Sequence, residues 1–348
     1  MKKYLLPQSD GVNSYKANLH CHTTLSDGHY TPEQVKQVYK DLGYSVLAYT
    51  DHDILIPHDE LGDDDFLILH GFEMEINEPK DEPFYKIKTC HICFIALEPD
   101  NLIQPFWHRS KYLMHNSPKN AHLVKFDENE PDFEREYTSE CISYVMQTAR
   151  EKGFFVTYNH PTWSYESYPE YMNYNGMHAM EMFNGGAMAD GYEDYNPRVY
   201  NDMLNKGQRL YCIGADDNHN KKPVGTRRFD SGLAFTVIRA KDLNYRTITK
   251  ALEDGDFYAS EGPEIKDIWV DEEGKAHITT APADRIIITF QIRNSQAYYA
   301  ENGTPIEYAN FIIRPEYGWF RFTVVDERGK KACTNAYYPE DIFKDIKK

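Results

Sequence analysis

A chain of 348 residues with 41% hydrophobic content carries enough apolar surface for one large globular unit and a smaller one. Its formal net charge of -17 works against coating a nucleic-acid polymer or an anionic membrane, since such surfaces need clustered Lys and Arg; any anionic substrate must be attracted locally. The opening Met1-Lys2-Lys3-Tyr4-Leu5-Leu6-Pro7-Gln8 lacks the apolar core of a signal peptide, and no apolar run approaches membrane-spanning length, so a cytoplasmic protein with no membrane partner is expected.

In chain order, residues 17–22 read as a first strand. Side chains alternate along a strand, so His20 and His22 point one way and Cys21 the other. That makes a two-imidazole claw, with Asp27 of Ser26-Asp27-Gly28 and His52 of Thr50-Asp51-His52-Asp53 near the same strand ends. Residues 31–43 predict a helix: Thr31 caps it, Pro32 fits the first turn, Gln34 completes a capping box, and Gly43 stops it. Val35, Val38, Tyr39 and Leu42 keep the 3.6-residue spacing. Strand-like runs follow at 45–52, 66–76 and 88–97, and this alternation of strand and helix is the β/α signature.

Residues 98–136 break the pattern. They are polar, contain Pro, and show no periodicity around Trp107, His108, His115 and His122, the profile of an insertion serving as a lid or substrate loop. Its histidines are not assigned to a metal. Order resumes with a helix at 139–152, strands at 154–160 and 177–184, a helix at 197–206 and a strand at 210–215. The six cysteines sit mostly inside apolar runs, as reduced buried thiols do, and the Cys90-x-x-Cys93 pair has no second pair to complete a zinc knuckle.

Further ligand types recur at one address, the ends of apolar strands: Glu73 in Gly71-Phe72-Glu73, His91 in Thr89-Cys90-His91, His160 before Pro161, and Asp217-x-His219. Barrels of parallel strands assemble active sites at such ends. With His20, His22, Asp27 and His52, these make nine candidates for a polynuclear metal site. A mixed His, Asp and Glu set suits Zn, Mn or Fe rather than Mg or Ca, so two or three divalent transition metals are the expected cofactors. Such a site binds phosphate and ionises water near neutral pH, and a metal-activated hydroxide would attack in line, with no Ser or Cys nucleophile required.

These motifs together resemble those of the PHP (polymerase and histidinol phosphatase) family of metal-dependent phosphoesterases, over roughly residues 15–260. The resemblance implies a distorted (β/α)7 TIM-like barrel holding up to three metals. It implies one ion on His20, His22, Glu73 and Asp217, a second on Glu73, His91 and His160, and a third on Asp27, His52 and His219. Of these, His20, His22, Glu73, Asp217 and His219 are expected to stand at the reacting centre. Two departures matter: the 98–136 insertion, and the closing Asp216-Asp217-Asn218-His219, where family members usually have Ser before the Asp. Asp-x-His spacing favours Asp217 as the donor over Asp216.

The run Asn220-Lys221-Lys222-Pro223-Val224-Gly225-Thr226-Arg227-Arg228 is the most basic in the chain, and Arg227 or Arg228 could clamp a substrate phosphate. A solvated loop is the alternative. After Trp163, Tyr165, Tyr168, Tyr171 and Tyr174 either stack on a substrate ring or pack. A strand at 233–240 and a helix at 243–254 complete the first expected domain, residues 1–262. From there short alternating strands at 265–270, 276–280, 286–292, 311–314, 319–325 and 332–338 predict a small all-β sandwich-like domain over 263–348, structural first and partner- or carbohydrate-binding second.

Three functions compete. The first is a phosphoesterase acting on a small phosphorylated metabolite or nucleotide. The others are a metallohydrolase of the same architecture acting on a carbamate, amide or other non-phosphate ester, and a non-catalytic metal-stabilised binding module. The basic run favours the first.

Overall fold

The computed structural model describes residues 2–346; Met1, Lys347 and Lys348, at the outer ends of the two expected domains, lie outside the described residues. The first part of the chain contributes β1 (Lys3–Tyr4), β2 (Asn13–Asn18), β3 (Val46–Tyr49), β4 (Leu67–Asn77), β5 (Thr89–Ala96), β6 (Phe154–Tyr158), β7 (Ala179–Asn184), β8 (Tyr211–Ala215), β9 (Phe235–Ala240) and β10 (Phe257–Ser260). Between them lie α1 (Pro32–Asp41), α2 (Ser117–Asn120), α3 (Ser139–Glu151), α4 (Tyr168–Tyr171), α5 (Gly185–Asp190), α6 (Pro197–Asn205) and α7 (Tyr245–Asp254). The remainder forms β11 (Ile265–Val270), β12 (Lys275–Ala283), β13 (Arg285–Phe290), β14 (Gln296–Tyr299), β15 (Ile306–Ile312), β16 (Phe320–Val325), β17 (Lys331–Thr334) and α8 (Pro339–Ile346).

Local signals act where expected. Thr31 and Gln34 form the capping box of α1, and the Thr138 side chain accepts from Cys141 N at the start of α3. On β3, Val46 and Ala48 face an inner core with Leu69, Ile95, Phe155 and Ile213, while Leu47 and Tyr49 pack toward Val35 and Tyr39 of α1. Strands buried on both faces read as continuous apolar runs, which is why these segments carry little alternation.

Strands β2 to β10 form one arc of a thirteen-stranded sheet, ordered β14-β13-β16-β17-β10-β9-β2-β3-β4-β5-β6-β7-β8. Pairing is parallel only within β2-β3-β4 and β6-β7-β8; β5 runs antiparallel to both neighbours, unlike a regular β/α alternation. Parallel strands need a crossover, usually helical, and between β4 and β5 there is only a single 3-10 turn, Phe84–Lys86. The reversal brings the beginning of β5 to the rim where its antiparallel neighbours β4 and β6 end.

Among the described residues no backbone ladder closes this arc into the expected barrel. β8 instead meets β9 through Thr236, whose Oγ1 accepts from Gly214 N at 3.2 Å and donates to Gly214 O at 2.9 Å. A Cβ on Gly214 would stand 2.7 Å from Phe235 O, so only glycine permits this approach. Past their last ladder residues, β2 and β8 come together: Cys21 and Asn218 form an isolated parallel bridge, His22 N donates to Asn218 O (3.1 Å) and Asp217 N to His20 O (3.0 Å). Strand β8, at one end of the sheet, thus meets the chain after β2 at residues singled out as candidate donors.

In the C-terminal part, β13, β14, β16 and β17 continue the large sheet, and the four-stranded sheet β1-β11-β12-β15 covers them. Ile268, Val270, Ile278 and Phe311 of the covering sheet share a core with Ile286, Ile288, Phe320, Phe322 and Val324. The expected strand 265–270 has its expected bounds, four others are present with shifted ends, and 311–314 overlaps β15 only at its last two residues; β14 and α8 lie outside the expected elements. β1 pairs with β11, so the N-terminal segment joins this layer.

Candidate metal centre

Five histidines converge on the carboxylate of Glu73, which sits 1% exposed in the middle of β4. Its Oε1 lies 3.1 Å from His20 Nε2, 3.1 Å from His91 Nδ1 and 3.3 Å from His160 Nε2; its Oε2 lies 3.2 Å from His22 Nε2 and 3.3 Å from His52 Nδ1. Asp217 Oδ1 stands 3.0 Å from His22 Nε2 and 3.2 Å from His20 Nε2, while Asp27 Oδ2 stands 3.1 Å from His219 Nε2. Each of the nine expected donors belongs to a group whose donor atoms lie within 4.8 Å of one another: His22, Asp27, His52 and His219; His20, His22, Glu73 and Asp217; His52, Glu73 and His91; and His20, His160 and Glu181. His20 and His22 lie beyond the end of β2 but keep the shared face, with Nε2 atoms 3.1 Å apart.

The backbone at the rim is unusual. His160 (φ 26°) and Asp217 (φ 51°) are both in the left-handed region, a conformation that persists only when neighbours over-determine it. Here Glu181 Oε2 accepts the His160 N–H at 2.9 Å, and Asp217 N–H is bound by His20 O. A Cβ on Gly28 would come within 2.6 Å of His22 O, so the turn carrying Asp27 closes tightly under the histidine strand only because residue 28 is glycine.

The chemistry of this donor set fits divalent cations. Six imidazoles and three carboxylates are packed with His22 Nδ1, His52 Nδ1 and both ring nitrogens of His91 buried and without a hydrogen-bond partner, a costly state for polar atoms unless something else fills their valence. Burial alone would push the rings down, but Asp217 and Glu73 outweigh it and hold His22 up at about 10, and Glu73 and Glu75 do the same for His91. Against the cost of burial, the facing histidines hold Asp27, Glu73 and Asp217 well below the usual carboxylate range. Positive charge is strongly favoured in the centre of this cluster.

Four buried acids organise the site: Glu181, Glu75 and Asp51, which sequence reasoning did not single out, and Asp216, which it had set aside in favour of Asp217. Glu181 accepts from His20 Nδ1 at 2.7 Å, which fixes the ring so that Nε2 faces Glu73. Glu75, opposite His91 in the β4–β5 register, stands 3.4 Å from His91 Nε2. Asp51 accepts from Thr23 N (2.8 Å), Ser26 Oγ (2.5 Å) and Ser26 N (3.2 Å), holding the turn that leads to Asp27. Asp216 turns away from the cluster and accepts from Gly232 N (2.6 Å), Leu233 N (2.8 Å), Ala234 N (2.9 Å) and Tyr39 OH (2.9 Å). Two of the three missed acids had a signal: Glu75 is two residues from Glu73 on the same strand face, and Glu181 is the one charge inside the apolar run Ala179-Met180-Glu181-Met182-Phe183.

The cluster floors a cavity of about 640 Å³ whose walls include Phe84, Met114 and Trp163 and whose rim carries Lys221, Lys222 and Arg228. Arg228 pairs with Asp190; Arg227 is exposed and is not among the residues lining the cavity. Trp163 packs its ring 5.0 Å from His160 and 5.3 Å from His91. The tyrosines that follow do not line the cavity: Tyr171 and Tyr174 are buried with hydroxyls on Asp202 and Glu166, while Tyr165 and Tyr168 are exposed. Cys90 and Cys93 are buried thiols of β5 and form no knuckle. From the insertion, Met114 and His115 reach the cavity wall, whereas His108 faces Glu134 and His122 Nδ1 contacts Lys119 O.

No family model matches the chain, and no curated protein matches it. Among solved structures it is similar to a two-domain protein containing a predicted PHP-like metal-dependent phosphoesterase from Bacteroides vulgatus (18% identity, 93% of this chain and 94% of that one, TM-score 0.44). It is also similar to a predicted metal-dependent phosphoesterase from Bifidobacterium adolescentis (16% identity, 60% and 90%, TM-score 0.36). A third similar structure is an amidohydrolase from Chromobacterium violaceum with bound sulfate and no metal (15% identity, 58% and 87%, TM-score 0.38).

Proposed function

We propose that this chain is a metal-dependent phosphoesterase of PHP type, hydrolysing a phosphate ester of a small metabolite or nucleotide at a centre of two or three divalent transition metals. On this reading residues 1–262 form a distorted (β/α)7 unit and residues 263–348 a C-terminal β appendage. The observation that carries it is the Glu73 carboxylate ringed by His20, His22, His52, His91 and His160, with buried ring nitrogens left unsatisfied at its centre.

One ion would be held by His20, His22, Glu73 and Asp217, a second by Glu73 with His91 and His160, and a third by Asp27, His52 and His219. When bound, divalent ions supply Lewis acidity and ionise water near neutral pH. The chain's own groups do the rest. Glu181 keeps the proton of His20 on Nδ1 and frees Nε2; the contact between His219 Nδ1 and Asp217 O at 3.0 Å leaves His219 Nε2 facing Asp27. Phe84, Met114 and Trp163 exclude water from one side of the cavity, and Lys221, Lys222 and Arg228 offer positive charge at its mouth. This charge favours an anionic phosphate over a neutral amide or carbamate.

The test is a panel of phosphate monoesters, phosphate diesters and p-nitrophenyl carboxylates, assayed with the chain loaded with Zn, Mn or Fe. Turnover of a phosphate ester that disappears in His22→Ala is expected; turnover of the carboxylates alone, or of nothing in the loaded protein, would overturn the phosphoesterase reading.

A further inference from the structure

The 98–136 insertion does not merely overhang the cavity. Besides contacts at Lys152, Gly153 and Glu75, it is stitched into the protein at two short stretches, one carrying the candidate donor His52 and one leading directly to Asp27. At His52-Asp53, Ser117 Oγ donates to His52 O at 2.7 Å, Gln104 Nε2 donates to Asp53 O at 2.8 Å, and Arg135 Nη2 donates to Asp53 Oδ1 at 2.5 Å. Gln104 Oε1 also accepts from Leu55 N at 2.6 Å, which closes the turn after Asp53. At the stretch leading to Asp27, Asn116 N donates to Ser26 O (3.0 Å), Asn116 Nδ2 to Thr24 O (3.2 Å) and Asn120 Nδ2 to Leu25 O (2.9 Å).

Asp53 shows why such bracing is needed. It has φ 61°, a strained backbone for a residue next to His52, and its carboxylate and the Arg135 guanidinium are both almost fully buried. A buried ion pair fixes geometry strongly because neither partner tolerates separation. The backbone at His52-Asp53 is therefore held from two sides: by β4, through the His52–Glu73 bridge and the Asp53 N–H on Glu73 O at 2.7 Å, and by the insertion, whose contacts come from outside the β/α framework. By contrast, His20, His160 and Asp217 are held by Glu181, Ser164 and Asn184 and by their own backbone.

We propose that residues 98–136 are a positioning element for one metal position, the one bounded by His22, Asp27, His52 and His219, and that they set its occupancy independently of the position at His20, His22, Glu73 and Asp217. This rests on the metal-centre reading above. It makes the third ion conditional on the order of the insertion, so metal content and the cavity wall formed by Met114 and His115 change together.

The experiment measures stepwise metal binding to the full chain by calorimetry and equilibrium dialysis with Zn²⁺ or Mn²⁺, and unfolding of the metal-free protein. Asn116→Ala/Asn120→Ala and Ser117→Ala remove neutral hydrogen bonds beside Asp27 and His52; Arg135→Met removes the ion pair and a further bond to Glu75 O. The wild type is expected to bind in resolved steps. In the first two variants one step weakens tenfold to a hundredfold, as for other losses of support behind a ligand, while the tightest step and the metal-free stability curve hold. Arg109→Ala serves as control, since among the described residues the Arg109 side chain contacts Asp132, Glu128, Glu130 and the Phe126 ring, all within the insertion, and its binding steps are expected to match the wild type. Equal weakening of all steps, or unchanged binding in the asparagine, serine and arginine variants alike, would overturn the proposal while leaving the metal reading intact. A wild-type chain that takes up no metal would overturn the metal reading and this proposal with it.

Discussion

Asp216 and Asp217 are adjacent acids with separable tasks, and substitution should split them. Asp216 is fully buried and ties the 232–234 turn to the end of β8 by accepting three backbone N–H groups and the Tyr39 hydroxyl. Asp216→Ala strands the three amides, each at a cost of roughly 1 to 3 kcal/mol; Tyr39 keeps a partner in Asn218 Oδ1 at 2.8 Å. With relaxation of the turn, a loss of about 3 to 5 kcal/mol is expected, a large part of an ordinary folding free energy. Asp217→Asn preserves an acceptor for Asn184 Nδ2 and costs the metal-free chain far less, but it removes the carboxylate facing His20 and His22 and should cost at least one metal equivalent. Urea denaturation of the metal-free proteins at pH 8, with elemental analysis of the purified ones, reads both quantities. An Asp216→Ala chain as stable as wild type but short of metal, beside an Asp217→Asn chain with full metal, would refute this assignment.

Glu181→Gln should lower metal affinity about tenfold to a hundredfold in calorimetry, because the amide holds His20 Nδ1–H without the negative charge that raises the ring's basicity; unchanged affinity would reduce Glu181 to a space-filler. Arg228→Ala should raise KM for a phosphate ester with little change in kcat, whereas Arg227→Ala should leave both unchanged; the opposite pattern in steady-state kinetics would move the anion contact off the cavity rim. His178 sits against Phe155 with Nδ1 accepting from Val156 N, and burial, with a smaller push from Arg150, lowers it to about 3. Since the unfolded ring titrates near 6.5, the unfolded chain binds the extra proton between those values, so stability falls as pH drops from about 6.5 toward 3. Between pH 7 and pH 5 this group alone should remove about 2 kcal/mol, and His178→Gln should flatten that part of the urea-midpoint profile; an equally steep profile in the variant would contradict the assignment.

Much of the site is legible in the sequence because its rules are local. The two-residue period of extended backbone puts His20 with His22, a capping box starts α1 at Thr31, and ligand types at or near strand ends mark most of the nine candidate donors, although Glu73 stands in the middle of β4 and His91 near the start of β5. The same period, carried from Glu73 to Glu75, would have reached one missed acid. Glu181 needed a different inference, that a charge inside a buried apolar strand must have a partner.

What the sequence by itself determined is therefore which side chains are candidate donors and most of the elements near them, since propensity, capping and side-chain alternation act over a few residues. Only the tertiary structure decided how the elements are joined: the reversal of β5, the contact of β8 with β9 through Thr236 and Gly214 rather than a ladder, the pairing of β1 with β11, and the anchoring of the insertion on His52 and on Thr24, Leu25 and Ser26. These depend on partners far apart in the chain, where many pairings satisfy the local pattern equally and the choice among them is made by packing and by the need to satisfy every buried polar group.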